Sequence, residues 1–237
     1  MLLFDNHSLS QLFVALRDAD YTLLGPTIRD RAIVYDEVTS PSDLPVGWTN
    51  EQEKGTYRIK RRDDKAVFGY VVGPHSWKRY LFPPLLRLFS VKRNGKDLGT
   101  DQKEFPATEI TRYAFMGVRS CELHALSIQD KIFVNGQFTD PYYALVRDRA
   151  FIVAVNCTDP GGTCFCSSLN TGPTASNGYD IALTELLDEH RHVFLAEAGS
   201  EAGSAIMSKV PHREASNEEI ALAQQLHARA AKRMGRV

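Results

Sequence analysis

The sequence predicts a mixed α/β (α+β) protein. A β-rich amino-terminal part, residues 1–106, is followed by an α/β part, residues 107–237, with a largely parallel sheet and a carboxyl-terminal helix. Three observations predict it. Short alternating runs bounded by Pro and Gly fill the first part. Beyond about residue 107, apolar strand-like runs alternate with helical spacing, the pattern of βα units. Residues 216–235 carry a capped amphipathic helix pattern. The two parts can share one core.

Taken in order, residues 8–19 read as a helix, with Leu9, Leu12, Phe13 and Leu16 on one face and Ser8 or Asn6 as cap. Strands are expected at 21–28, 32–38, 56–62 and 66–72, and Pro41, Pro45, Gly47 and Gly55 make 40–55 a loop. After Pro83-Pro84, residues 85–92 read as another strand. Residues 112–118 form a strand and 122–133 a helix through Leu123, Leu126, Ile128 and Ile132. The near-continuous apolar run 150–156 suits a strand buried on both faces. Residues 179–186 run from strand to helical turn, 193–198 form a strand, and Gly199, Gly203 and Ser204 lead into a helix. The last element, 217–234, starts with a capping box, Ser216 and Glu219, carries an apolar stripe of Ile220, Ala223, Leu226, Ala230 and Met234, and has Gly235 as C-cap. That stripe is expected to dock only partly, leaving a face for self-association or a partner.

The chain has 237 residues, 28 Lys and Arg against 29 Asp and Glu, and net charge −1. That balance excludes a general nucleic-acid coat and a polybasic membrane anchor. No apolar run is long enough to span a bilayer. Met1-Leu2-Leu3-Phe4 is too short for a leader core and lacks basic residues before it. A cytoplasmic protein is expected, and clustered cysteines there point to metal or redox chemistry rather than disulfides.

The four cysteines are Cys121, Cys157, Cys164 and Cys166, all in the second half, with spacing C-x35-C-x6-C-x-C. Cys121 and Cys157 each follow a predicted strand. If those strands are parallel neighbours, their carboxyl ends share the edge at which α/β sheets bind ligands. The loop Thr158-Asp159-Pro160-Gly161-Gly162-Thr163 can then fold Cys164 and Cys166 back toward the same point. Four thiolates suit an iron–sulfur cluster or a structural zinc site. The alternative is burial as small unreactive hydrophobes, which Cys157 fits best. The spacing matches neither the common ferredoxin runs nor a zinc ribbon. Arg119, beside Cys121, is a candidate cofactor-binding residue, because a cation lowers a thiol's pKa; it could equally form a sheet-edge salt bridge.

A family resemblance lies in these residues. Gly117-Val118-Arg119-Ser120-Cys121-Glu122 resembles a G-V-R-x-C-D/E motif. It is joined by Asn156-Cys157, Cys164-Phe165-Cys166 with Ser168, Gly172-Pro173 and Gly178-Tyr179-Asp180. In the first half, Asp43-Leu44-Pro45, Tyr57-Arg58, Gly73-Pro74, Ser76-Trp77-Lys78 and Phe82-Pro83-Pro84 agree. Together they resemble the amino-terminal part of the sulfhydrogenase beta (iron–sulfur) subunits, a family that includes the A subunit of anaerobic sulfite reductase. Members usually continue into a ferredoxin-like domain with two C-x2-C-x2-C-x3-C-P runs, which this chain lacks. It is expected to be a fragment or a short form. The resemblance implies an electron-relay role with catalytic and flavin-type subunits as partners. The reading is a 4Fe-4S cluster on Cys121, Cys157, Cys164 and Cys166; the alternative is a structural zinc or metal-free scaffold module. No general base, nucleophile or substrate motif marks a complete enzyme.

Other features read as structural. His75, Trp77 and Lys78 form a turn packed by Trp77, or else a docking surface. His190 and His192 read as a surface turn. Lys60, Arg61, Arg62 and Lys65 read as a solvated hairpin, with an acidic-partner patch as the sharper reading. Gly199-Ser200-Glu201-Ala202-Gly203-Ser204 offers backbone N–H groups at a helix start but is not a dinucleotide fingerprint.

Overall fold

A computed structural model describes residues 1–71, 73–95, 97–102 and 110–234. The expected part boundary at 106/107, the Gly235 cap and Val72 lie outside the described residues. In chain order the elements are β1 (Leu2–Asp5), α1 (Asn6–Asp18), β2 (Thr22–Arg29), β3 (Ala32–Glu37), β4 (Trp48–Glu53), β5 (Thr56–Arg61), α2 (Lys78–Leu81), β6 (Phe89–Asn94), β7 (Asp97–Gln102), β8 (Tyr113–Val118), α3 (Ser120–Phe133), α4 (Pro141–Asp148), β9 (Phe151–Val155), β10 (Ile181–Leu187), β11 (His192–Ala198), α5 (Glu201–Met207), β12 (Arg213–Glu214) and α6 (Asn217–Arg233).

The fold is mixed α/β. Eight strands form one sheet in the order β12-β1-β11-β10-β9-β8-β2-β3, and β4-β5 and β6-β7 are separate hairpins. The central pairs β2-β8, β8-β9 and β9-β10 are parallel, while the flanking pairs are antiparallel. Strands from both sides of residue 106 thus lie in one sheet. Helices cover both faces. Leu9, Leu12, Phe13 and Leu16 of α1 join Ile206 and Met207 of α5 over one face, on Phe4, Met116, Val153 and Leu183. Leu123 and Leu126 of α3 and Tyr143 and Val146 of α4 cover the other, on Phe115, Ile152 and Ala154. Strand residues alternate between the faces, so β8 and β9 are buried on both.

Several expectations need correction. Residues 2–5 are a strand: Leu3 pairs with Leu195 and Phe4 with Phe194, and the two side chains enter different cores. Asp5, rather than Ser8 or Asn6, caps α1, its Oδ1 accepting from the Ser8 amide at 2.7 Å. The expected loop 40–55 contains β4, which pairs with β5 around Gly55 (φ +68°). The helix α4 was missed. Residues 66–71 join no sheet, and the chain bends at Val67 and Phe68. Instead, Glu185 accepts from the amides of Val67 and Phe68 at 2.6 and 2.9 Å, and Asn50 Oδ1 from that of Val71 at 2.9 Å. Side chains take the place of a ladder.

The terminal helix has its capping box: Glu219 N donates to Ser216 Oγ, and Ser216 N donates to Glu219 Oε2. Its stripe docks on this chain, which corrects the expectation of an exposed face. Ala223, Ala230 and Met234 are buried, and Ile220 and Leu226 pack half-buried beside Leu3, Leu186 and Leu195. Trp77 is buried, stacked on Tyr35 with ring centres 3.7 Å apart, so its turn is packed as expected. Among the described residues, no helix is long and apolar enough to cross a membrane.

Candidate metal centre

The parallel pairing of β8 with β9 puts their carboxyl ends side by side. At the end of β8 a bulge falls at Gly117, whose φ is +88° and where a Cβ would stand 2.9 Å from Tyr70 Oη. Glycine is required there by both the backbone and the close approach. Arg119 is the N-cap of α3 and Cys121 lies in its first turn. Glu122 Oε2 accepts from the Arg119 amide at 2.9 Å, and its other oxygen accepts from Tyr35 Oη at 2.6 Å. The turn bearing Cys121 is thereby tied to β3.

At the end of β9, Asn156 fixes the second approach. Its Nδ2 donates to Thr184 Oγ1 at 2.9 Å and its Oδ1 accepts from the Ala175 amide at 2.8 Å. Cys157 N donates to Pro173 O. The loop that follows is anchored at Asp159, which takes Arg62 Nη1 at 3.2 Å and Arg233 Nη1 at 2.6 Å, and at Thr163, whose hydroxyl donates to Gln52 Oε1 at 2.7 Å. It returns to Cys164, whose amide donates to Gly161 O. Cys166 opens a single 3-10 turn, Cys166–Leu169. Behind it, a Cβ on Gly172 would stand 2.7 Å from Cys166 Sγ.

The structure brings all four sequence-predicted cysteines and Arg119 onto one cavity of about 380 Å³. Each cysteine is half-buried. Cys157 therefore faces the cavity and is not fully buried. Ile128, Phe165 and Leu169, all well exposed, also line the cavity, and Met234 closes part of it. Among the described residues, no three His, Cys, Asp or Glu side chains stand at spacing for one metal ion.

Arg119 is 2% exposed and lines the cavity with the cysteines. Among the described residues it forms no sheet-edge salt bridge. Its Nη2 donates to Phe68 O and Tyr70 O at 2.7 and 2.8 Å, its Nη1 lies 3.8 Å from Cys157 Sγ, and its Nε has no partner among the described residues. Beside Cys121 the expected lowering is outweighed. Burial, helped by the Glu122 charge, pushes the Cys121 thiol up to about 12. Burial also raises Cys164 and Cys166. Left without a metal these thiols hold their protons. A metal's positive charge is what turns such thiols into thiolates. The soft, all-sulfur donor set, with the buried Arg119 N–H aimed at the Cys157 sulfur, fits a thiolate-held metal group.

The sequence did not mark Met234 as part of this cavity. It lies 68 residues from Cys166, and no local pattern reports such a contact. The other candidates lie elsewhere. His192 is on β11, its Nε2 2.7 Å from Glu185 Oε1, rather than in a surface turn. Lys60 pairs with Glu51, Arg61 lies over Trp48, and Arg62 pairs with Asp64. The glycines at 199 and 203 serve packing, since a Cβ on Gly203 would strike Asp180 O, and Ser200 caps α5.

No protein-family model matches the chain, and no solved structure matches it. Among curated proteins, sulfhydrogenase 2 subunit beta of Pyrococcus furiosus is 33% identical over 142 residues. The alignment covers 58% of this chain and 38% of that relative. The chain therefore resembles part of that subunit and matches less than two fifths of its length.

Proposed function

We propose that this chain is an electron-transfer iron–sulfur subunit of a redox complex of the hydrogenase or sulfite-reductase kind, with a 4Fe-4S cluster on Cys121, Cys157, Cys164 and Cys166. One observation carries the reading: four thiols from two adjacent parallel strand ends and one returning loop line the same cavity. The likeness to part of a sulfhydrogenase beta subunit supports it. When bound, such a cluster supplies one-electron chemistry. The chain's own residues do the rest. Asn156 and the Arg119–Glu122 turn hold the thiols in place, Arg119 offers an N–H to the Cys157 sulfur, and the apolar lining limits water; each of these sets a cluster's potential. Catalytic and flavin-type subunits are the proposed partners. A structural zinc is less well supported, because the described residues do not gather three donors at single-ion spacing.

Anaerobic purification followed by iron and acid-labile sulfide analysis tests the proposal. Iron and sulfide in equal amounts, with a broad visible absorption band lost in each Cys→Ser variant, are expected. Zinc without sulfide, or a band unchanged in Cys121→Ser, would overturn it.

A further inference from the structure

The last turn of α6 holds the cysteine loop at two points. Met234, the C-cap of the helix, is 7% exposed, and its Sδ lies 3.3 Å from Cys166 Sγ, with the thiol as donor. One residue earlier, Arg233 Nη1 lies 2.6 Å from Asp159 Oδ1, between Cys157 and Cys164. Neither contact is needed to seat the helix. Ala223, Ile220 and Leu226 do that, against Leu3, Leu186 and Leu195. The helix therefore reaches the cavity already fixed, and its final residues act on the loop. A thioether suits the place: it is apolar, polarisable and uncharged, so it fills space beside a thiol without competing as an anionic ligand.

We propose that Met234 is a positioning residue of the metal centre, which, strapped down by the Arg233–Asp159 ion pair, covers Cys166 and keeps water from that side of the cavity. The proposal rests on the reading of Cys166 as a ligand, but the covering itself is measurable without any metal. Solvent exposure is one of the quantities that set a cluster's potential and lifetime.

The test is the alkylation rate of each cysteine by iodoacetamide in the metal-free full chain, read by peptide mass spectrometry, with Cys164 as internal reference. Met234→Ala should raise the Cys166 to Cys164 ratio several-fold. Arg233→Gln should raise it less, and Met234→Leu should keep it near the wild-type value. If Met234→Ala does not fold, Arg233→Gln decides, since that side chain is half-exposed. A ratio unchanged in both Met234→Ala and Arg233→Gln, or Met234→Leu as reactive as Met234→Ala, overturns the strap. In iron- and sulfide-loaded protein, Met234→Ala should lose its visible band in air faster than wild type. Failure of the wild-type chain to take up iron and sulfide overturns the cluster reading and leaves the alkylation ratio to judge the strap.

Discussion

Arg119 Nη1 lies 3.8 Å from Cys157 Sγ, so the residue just after one parallel strand answers the cysteine that follows the next. The same guanidinium accounts for the carbonyls of Phe68 and Tyr70, and its Cζ lies over the Tyr70 ring, 4.9 Å from the centroid. A buried cation is thereby shared between the candidate metal centre and the segment 66–71 that walls it.

Replacing Arg119 with Met should therefore destabilise the chain as well as disturb the cavity. Two buried carbonyls lose their donors, at a cost of about 2–4 kcal/mol. For a chain of this size that lowers Tm by roughly 5–15 °C. Thermal melts of the metal-free protein would measure it, and an unchanged Tm would mean that these carbonyls find water.

Glu185 holds the same segment from the other side, accepting from the amides of Val67 and Phe68 and facing His192. Glu185→Gln exchanges one acceptor oxygen for an NH2 that meets a donor. A loss of about 2–4 kcal/mol is expected in urea unfolding. A shift no larger than that of an exposed substitution would show that 66–71 is held by packing alone.

Gly117 and Gly55 both have positive φ, but a Cβ on Gly55 meets open space while one on Gly117 meets Tyr70 Oη. Gly117→Ala should cost about 1 kcal/mol or more beyond Gly55→Ala. Tyr70 Oη has no partner among the described residues, so Tyr70→Phe should cost little alone and recover part of the Gly117→Ala loss. Additive effects in that double-mutant cycle would contradict the contact.

Burial pushes the His227 imidazole below its ordinary value, and its Nε2 lies 3.2 Å from Thr184 Oγ1. The sign follows from which state binds the proton first. As pH falls through about 6.5 the unfolded chain takes it up while the native ring stays neutral. This contribution to stability is complete above that pH and shrinks below it. Urea midpoints at successive pH values should fall more steeply on acidification in wild type than in His227→Gln; parallel slopes would contradict the assignment.

Some misread elements had local signals. Asp140-Pro141 is an N-cap followed by Pro at the first helical position, the usual start of a helix such as α4. Gly55 between alternating residues marks the β4–β5 hairpin. Others had none. β1 pairs with β11 across most of the chain, and four residues carry no period long enough to read. Residues 66–71 are an apolar run like that of a buried strand, yet their amides and carbonyls are answered by Asn50, Arg119 and Glu185.

By itself the sequence determined what depends on near neighbours. It determined α6 and its capping box, the apolar runs that become β8 and β9, the mixed α/β class, and the placing of Cys121 and Cys157 just after strands. Spacing and composition suffice for these, because helix periodicity, caps and burial on both faces are written within a dozen residues. Only the tertiary structure decided that Arg119 answers Cys157 instead of Cys121, that the stripe of α6 is covered by its own sheet, and that Met234 meets Cys166. Each is a contact between residues far apart in the chain. Its energy is realised only once the sheet has closed the intervening loops, so no local pattern records it.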